Sequence, residues 1–158
     1  METEDLGIVD GLVQLSLLVQ AVLARVAAGF GLSVLQGRLL GVLRDREPTM
    51  AHLGRLLDVD KSSTTGLVDR AERRGLVGRA KVPEDGRAFR VVLTAAGRQL
   101  AETFAAEVGR QVTALTGGLG DTDRTRLSWL ASQVVQRDAA AHGVDLSART
   151  TTKGARAW

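Results

Sequence analysis

Residues 60–65 read Asp-Lys-Ser-Ser-Thr-Thr, four consecutive hydroxyl side chains behind a lysine. Short hydroxyl residues are weak choices inside a helix, because they compete for the backbone's own hydrogen bonds. At a helix start they are good donors and acceptors, and the free amides there favour an anion. One such residue suffices as a cap. Four together at Ser62, Ser63, Thr64 and Thr65, next to Lys61, suit the phosphates and base edges of a nucleic acid. Arg70 extends this cationic chemistry within two turns, whereas Arg73 is spaced to pair with Asp69 at i, i+4. A further cationic point is Arg87 in "VPEDGRAFR". A guanidinium on a thin hairpin fits a narrow minor groove, and Asp85 is close enough in sequence to support it.

Other chemistries have little to stand on. Cysteine is absent, and His52 and His142 are the only histidines. Disulfides, thiolate metal sites and cysteine redox switching are therefore excluded, and no metal site is expected. No Ser-His-Asp set, paired-acid constellation or P-loop spacing is present. The "GGLG" at 117–120 follows no strand, so it reads as a helix break and not a nucleotide loop. The expectation is a binding protein with no catalytic residues and no cofactor.

The elements that must position these residues follow from periodicity. Ile8, Val9, Leu12, Val13, Leu15, Leu18, Val19, Val22, Leu23, Val26 and Phe30 repeat at helical spacing over an unusually wide surface, ended by Gly29 and Gly31. Such a face asks for several neighbours, some of them from a second copy. Ser33 and Gln36 form a capping-box pattern opening the next helix. Thr49 caps a short helix over 50–57, and Asp60 caps one through Arg74 that Gly75 stops. A tight turn at 58–60 makes these two a helix-turn-helix, with the hydroxyl cluster on its second helix. "LVGRAKV" and "FRVVLT" flank "PEDGRA", a hairpin with Asp85-Gly86 as its turn dipeptide. A hairpin directly after a helix-turn-helix reads as a wing. Thr94 caps a long helix ended by Gly117 and Gly118, and Asp121 caps a final one of roughly twenty residues. The tail from 143 to 158 lacks periodicity and is expected to be loose.

The chain has 158 residues and a net charge of +3, which alone decides nothing. Residues 61–90 hold eight cations and four anions, a balance of +4 that leaves the rest at −1. The positive field is thus concentrated on the helix-turn-helix and its hairpin. The acidic start "METEDLGIVD" lacks the basic region of a secretory signal. Gln14, Ser16, Gln20 and Arg25 interrupt the apolar stretch after it, so no membrane span and a cytoplasmic location are expected.

With these pieces in order, the chain resembles the MarR family of bacterial winged helix-turn-helix transcriptional regulators. The resemblance rests on "DKSSTTGLVDRAERRGLV", the Asp85-x-Arg87 hairpin and "LTAAGR", and it spans residues 8 to about 140. It implies a mainly α (α+β) fold: dimerisation helices at 8–32 and 120–142, a winged helix-turn-helix at 33–93 and a connecting helix at 94–117. It implies a homodimer that sets two recognition helices in successive major grooves of a pseudo-palindromic DNA operator, with the wings in the flanking minor grooves. Lys61, Ser62, Ser63, Thr64, Thr65 and Arg70 then match the recognition helix, and Arg87 the wing arginine with Asp85 as its support. A small-molecule pocket between the dimerisation helices and each DNA-binding lobe is also implied. The expected function is a repressor whose DNA affinity falls on binding a phenolic or carboxylate effector. Gly66 and Ala71 depart from the family, which often has a larger polar residue and a leucine there. The alternatives are a winged-helix protein-interaction module that binds no DNA, and a metal-responsive regulator of the same fold.

Overall fold

A computed structural model of the chain describes residues 4–144 and Leu146. Six helices and one hairpin follow in the order α1 (Gly7–Gly29), α2 (Val34–Asp45), α3 (Met50–Leu57), α4 (Lys61–Arg73), β1 (Val77–Val82), β2 (Asp85–Leu93), α5 (Ala95–Leu115) and α6 (Asp121–Ala141). The architecture is mainly α with a small antiparallel sheet, a winged helix-turn-helix carried between long terminal helices.

Side-chain caps set most helix starts. Ser33 accepts the Gln36 amide at 3.1 Å while the Gln36 side chain accepts the Ser33 amide at 2.9 Å, the reciprocal box expected at α2. Thr49, Asp60 and Thr94 each accept an amide three residues on, opening α3, α4 and α5. Helix α6 differs from expectation. Its cap is Gly120, and Asp121 is the first helical residue, making no capping bond. At that position a carboxylate favours the helix dipole but does not satisfy the free amides. Gly29 is likewise the last helical residue of α1, Phe30 is the cap, and Gly31 makes the reversal at φ +65°. After α6, Gly143 at φ +65° and a Val144–Ala139 backbone bond close the helix; the expected loose tail otherwise lies outside the described residues, save Leu146.

Helix α2 is shared by two cores. Leu39 and Leu43 pack with Leu53, Leu57, Leu67 and Val68 of the helix-turn-helix and with Val77 and Val91 of the hairpin. Leu40, on another side, joins Val22 and Val26 of α1 and Phe104 and Val108 of α5. Phe30 meets Phe104 edge-on at 5.8 Å. Gly37 packs against the tip of the Phe104 ring, where a Cβ would stand 2.6 Å from Cζ.

The hairpin departs from its expected turn. Residues Val77 to Lys81 pair with Leu93 to Phe89 in regular register, but Val82 then pairs with Asp85. The reversal is therefore at Pro83 and Glu84, and 86–88 form a bulged stretch on β2. Proline favours the first turn position because its ring fixes φ, which outweighs the Asp-Gly signal.

The outer surfaces of α1 and α6 stay apolar. Ile8, Val9, Leu12, Val13, Leu17 and Leu18 are exposed on α1, as are Trp129, Leu130, Val134 and Val135 on α6. Within α6 only Ala139 is buried. By length and composition α1 also suffices to cross a membrane, with a mean hydropathy of 1.8, contrary to the expectation from its polar interruptions. Its last turns, however, are locked into the second core through Val22, Val26 and Ala27.

Candidate nucleic-acid interface

Helix α4 is held at an angle to α3 by a left-handed residue, Asp58 at φ +53°, and by the Val59 amide bonded to the Gly54 carbonyl. Gly54 permits the close approach: a Cβ there would stand 2.9 Å from the Thr64 hydroxyl. Asp60 accepts the Ser63 amide at 2.7 Å, and that bond holds its carboxyl below the usual carboxylate range.

The hydroxyl cluster divides. Lys61, Ser62, Ser63 and Thr65 are exposed. Thr64 is not: it is 2% exposed, packed against α3, and its hydroxyl donates to the Asp60 carbonyl at 2.8 Å. The expectation that Thr64 reaches DNA is therefore corrected. It lies three residues before Leu67 and four before Val68, on the stripe that enters the core. Thr65 donates to the Lys61 carbonyl at 2.9 Å, which leaves its oxygen free to accept.

Arg70 is exposed, and its guanidinium lies back over Gly66. Asp69 does not take Arg73 as its partner. It binds Arg79 of β1 at 2.5 Å, and Glu72 approaches the same guanidinium at 3.5 Å. The strand brings Arg79 across α4 where an i, i+4 pair would form only along the helix surface. Sequence reasoning missed this residue; its signal was the alternation along β1 opposite two acids spaced i, i+3.

In the wing, Asp85 accepts the backbone amide of Arg87 at 3.0 Å. It shapes the bulge and supports Arg87 through the main chain, with no ion pair to the Arg87 guanidinium among the described residues. Among the described residues neither Arg70 nor Arg87 has a carboxylate partner. On the same hairpin, Lys81 and Phe89 pair across the strands and are both exposed. The surface formed by the first turn of α4 and the wing therefore presents hydroxyls, a helix N-terminus and unpaired cations.

Two hollows open elsewhere in the chain, one of them against the start of α4. A cleft of about 720 Å³ lies between α3 and the start of α4, lined by Met50, Arg55, Asp58, Lys61, Thr65 and Arg79 among others. A larger one of about 1080 Å³ separates α6 from α2 and α3. Leu23, Val42, Leu56 and Val135 give it apolar walls, and Arg38, Asp45 and Arg46 polar ones. Arg46 donates to the Leu146 carbonyl at 2.7 Å while its Nε is buried with no partner among the described residues. No group of three or more His, Asp or Glu among the described residues is placed to hold a metal ion.

Comparison with known proteins agrees with the fold. Residues 30–88 match the model of the MarR family. The crystal structure of wild-type MarR from E. coli, in its apo form, superposes with a TM-score of 0.70 at 24% identity, covering 83% of this chain and 98% of that one. A mutant MarR from E. coli complexed with operator DNA gives 0.64 at 25% identity, over 78% and 89% of the two chains. NadR in complex with 4-hydroxyphenylacetate gives 0.69 at 25% identity, over 85% and 97%. No curated protein matches the chain.

Proposed function

We propose that this chain, whose winged helix is of the MarR family, is a DNA-binding transcription regulator that acts as a homodimer and not as an enzyme. The observation that carries the reading is the exposed first turn of α4. Lys61, Ser62, Ser63 and Thr65 stand there in the open beside a wing bearing Arg87. Lys61, the three hydroxyls and Arg70 are assigned to the major groove of a pseudo-palindromic operator. Arg87, with Asp85 shaping its backbone, is assigned to the flanking minor groove.

The homodimer accounts for the apolar outer faces of α1 and α6, which a lone chain would leave in water. A membrane-spanning role for α1 is disfavoured by its last turns, which are packed with α2 and α5. A repressor of this kind works in the cytoplasm. Its effector, a small phenol or carboxylate, suits the 1080 Å³ hollow, where apolar walls meet Arg38 and Arg46. The crystal structure of NadR with 4-hydroxyphenylacetate supports that ligand class.

The test is a salt titration of binding to sheared bacterial genomic DNA. Each phosphate neutralised adds about 0.9 to the slope of log K against log salt. The expected result is tight binding at low salt with a steep slope. Absence of binding at low salt by a folded dimer would leave the protein-interaction alternative instead.

A further inference from the structure

From root to tip, the sheet face turned towards α4 carries the pairs Val77–Leu93, Arg79–Val91 and Lys81–Phe89. Val77 and Val91 are buried with Leu67, Val68 and Ala71. Arg79 thus stands where the hairpin leaves the core. One of its terminal nitrogens bonds Asp69 at 2.5 Å, and its Nε lies 3.5 Å from Glu72. Asp69 is four residues beyond Thr65 and seven beyond Ser62, so one stripe of α4 bears exposed hydroxyls and then a carboxylate. A bare carboxylate there would repel the same phosphates that the hydroxyls are placed to bind.

We infer that Arg79 is a positioning residue for DNA binding that acts through α4: it screens Asp69 and Glu72 and ties the root of the wing to the recognition helix, without touching DNA itself. Charge count separates this role from a direct phosphate contact. One guanidinium between two carboxylates leaves the trio at −1, so a phosphate would find no net cation there. To bind DNA directly, Arg79 would have to leave both carboxylates. This role rests on the DNA-binding reading above.

Three variants test it on sheared genomic DNA, each first checked for a wild-type melting profile: Arg79→Ala, Arg79→Ala with Asp69→Asn and Glu72→Gln, and Asp69→Asn with Glu72→Gln alone. Arg79→Ala should weaken binding on the order of tenfold, two exposed ion-pair networks being lost per dimer. The triple variant should regain most of that affinity, because the repelling charges are gone. The variant that keeps Arg79 should bind more tightly than wild type, with a steeper salt dependence, because its guanidinium is released. An unchanged affinity for Arg79→Ala overturns the inference, as does a triple variant no tighter than Arg79→Ala. Should Arg79→Ala fail to fold, the Asp69→Asn, Glu72→Gln variant decides: no gain in affinity overturns the inference. If the wild type binds no DNA at all, the functional reading fails before this one is reached.

Discussion

Thr64 and Thr65 differ by one position and by about 100° around α4. That rotation sends one hydroxyl into the contact with α3 and leaves the other in water. Thr64→Ala should lower stability by about 1–2 kcal/mol, from a lost buried bond and a small cavity, while the folded fraction keeps its DNA affinity. Thr65→Ala should do the reverse: unchanged melting, and binding weakened by about 1–3 kcal/mol per site with an altered sequence preference. Urea unfolding alongside binding to selected genomic fragments checks both. The hydroxyl cluster was legible in the sequence as a group. Its division was not, because it depends on where α3 lies against α4, and Gly54 is what lets the two helices approach so closely. Arg79 was hidden for the same reason: its partners are ten and seven residues away, across a strand and a helix.

At the scale of elements, the caps were the most readable features, since each lies within three residues of the amide it satisfies. The box at Ser33 and Gln36 appears as its spacing suggests. The wing turn was less so, because proline and Asp-Gly gave competing signals two residues apart. The joint between α4 and α5 could not be read at all. The Leu76 carbonyl accepts the Thr94 amide, the Thr94 hydroxyl donates to Gly75 at 2.6 Å, and Gly97 sits against Leu76. A Cβ on Gly97 would lie 1.8 Å from the Leu76 oxygen, a clash with backbone that only helix movement relieves. Gly97→Ala should therefore cost about 3 kcal/mol or more, measured by denaturant unfolding. Further along α5, the Glu107 carboxylate accepts from Arg110 and Gln111, which lowers its pKa to about 2 from 4.5. A depressed carboxylate stabilises the fold above its unfolded pKa, and that contribution is lost as pH falls through the folded value. Glu107→Gln should thus flatten the decline in melting temperature between about pH 4.5 and 2.

For the molecule as a whole, the wide apolar face of α1 was plain from its periodicity, and so was the need for something to cover it. The structure adds how little α6 contributes to its own chain, burying Ala139 alone. A charge placed among its exposed apolar residues should spare the monomer's cores and disturb only assembly. Wild-type protein should sediment near twice the 16.8 kDa chain mass. Val134→Glu should shift it towards one chain mass while helix content stays the same, and DNA binding should fall with it. A Val134→Glu protein that still sedimented as a dimer would place the interface elsewhere.

Trp129 would give the proposed dimer an optical signal. Tyrosine is absent from the sequence, so ultraviolet emission comes from two tryptophans, of which Trp129 stands 61% exposed on α6. An indole in water emits to the red, and one covered by a second chain emits to the blue. Emission recorded through a dilution series would then follow the meeting of two copies without any added dye.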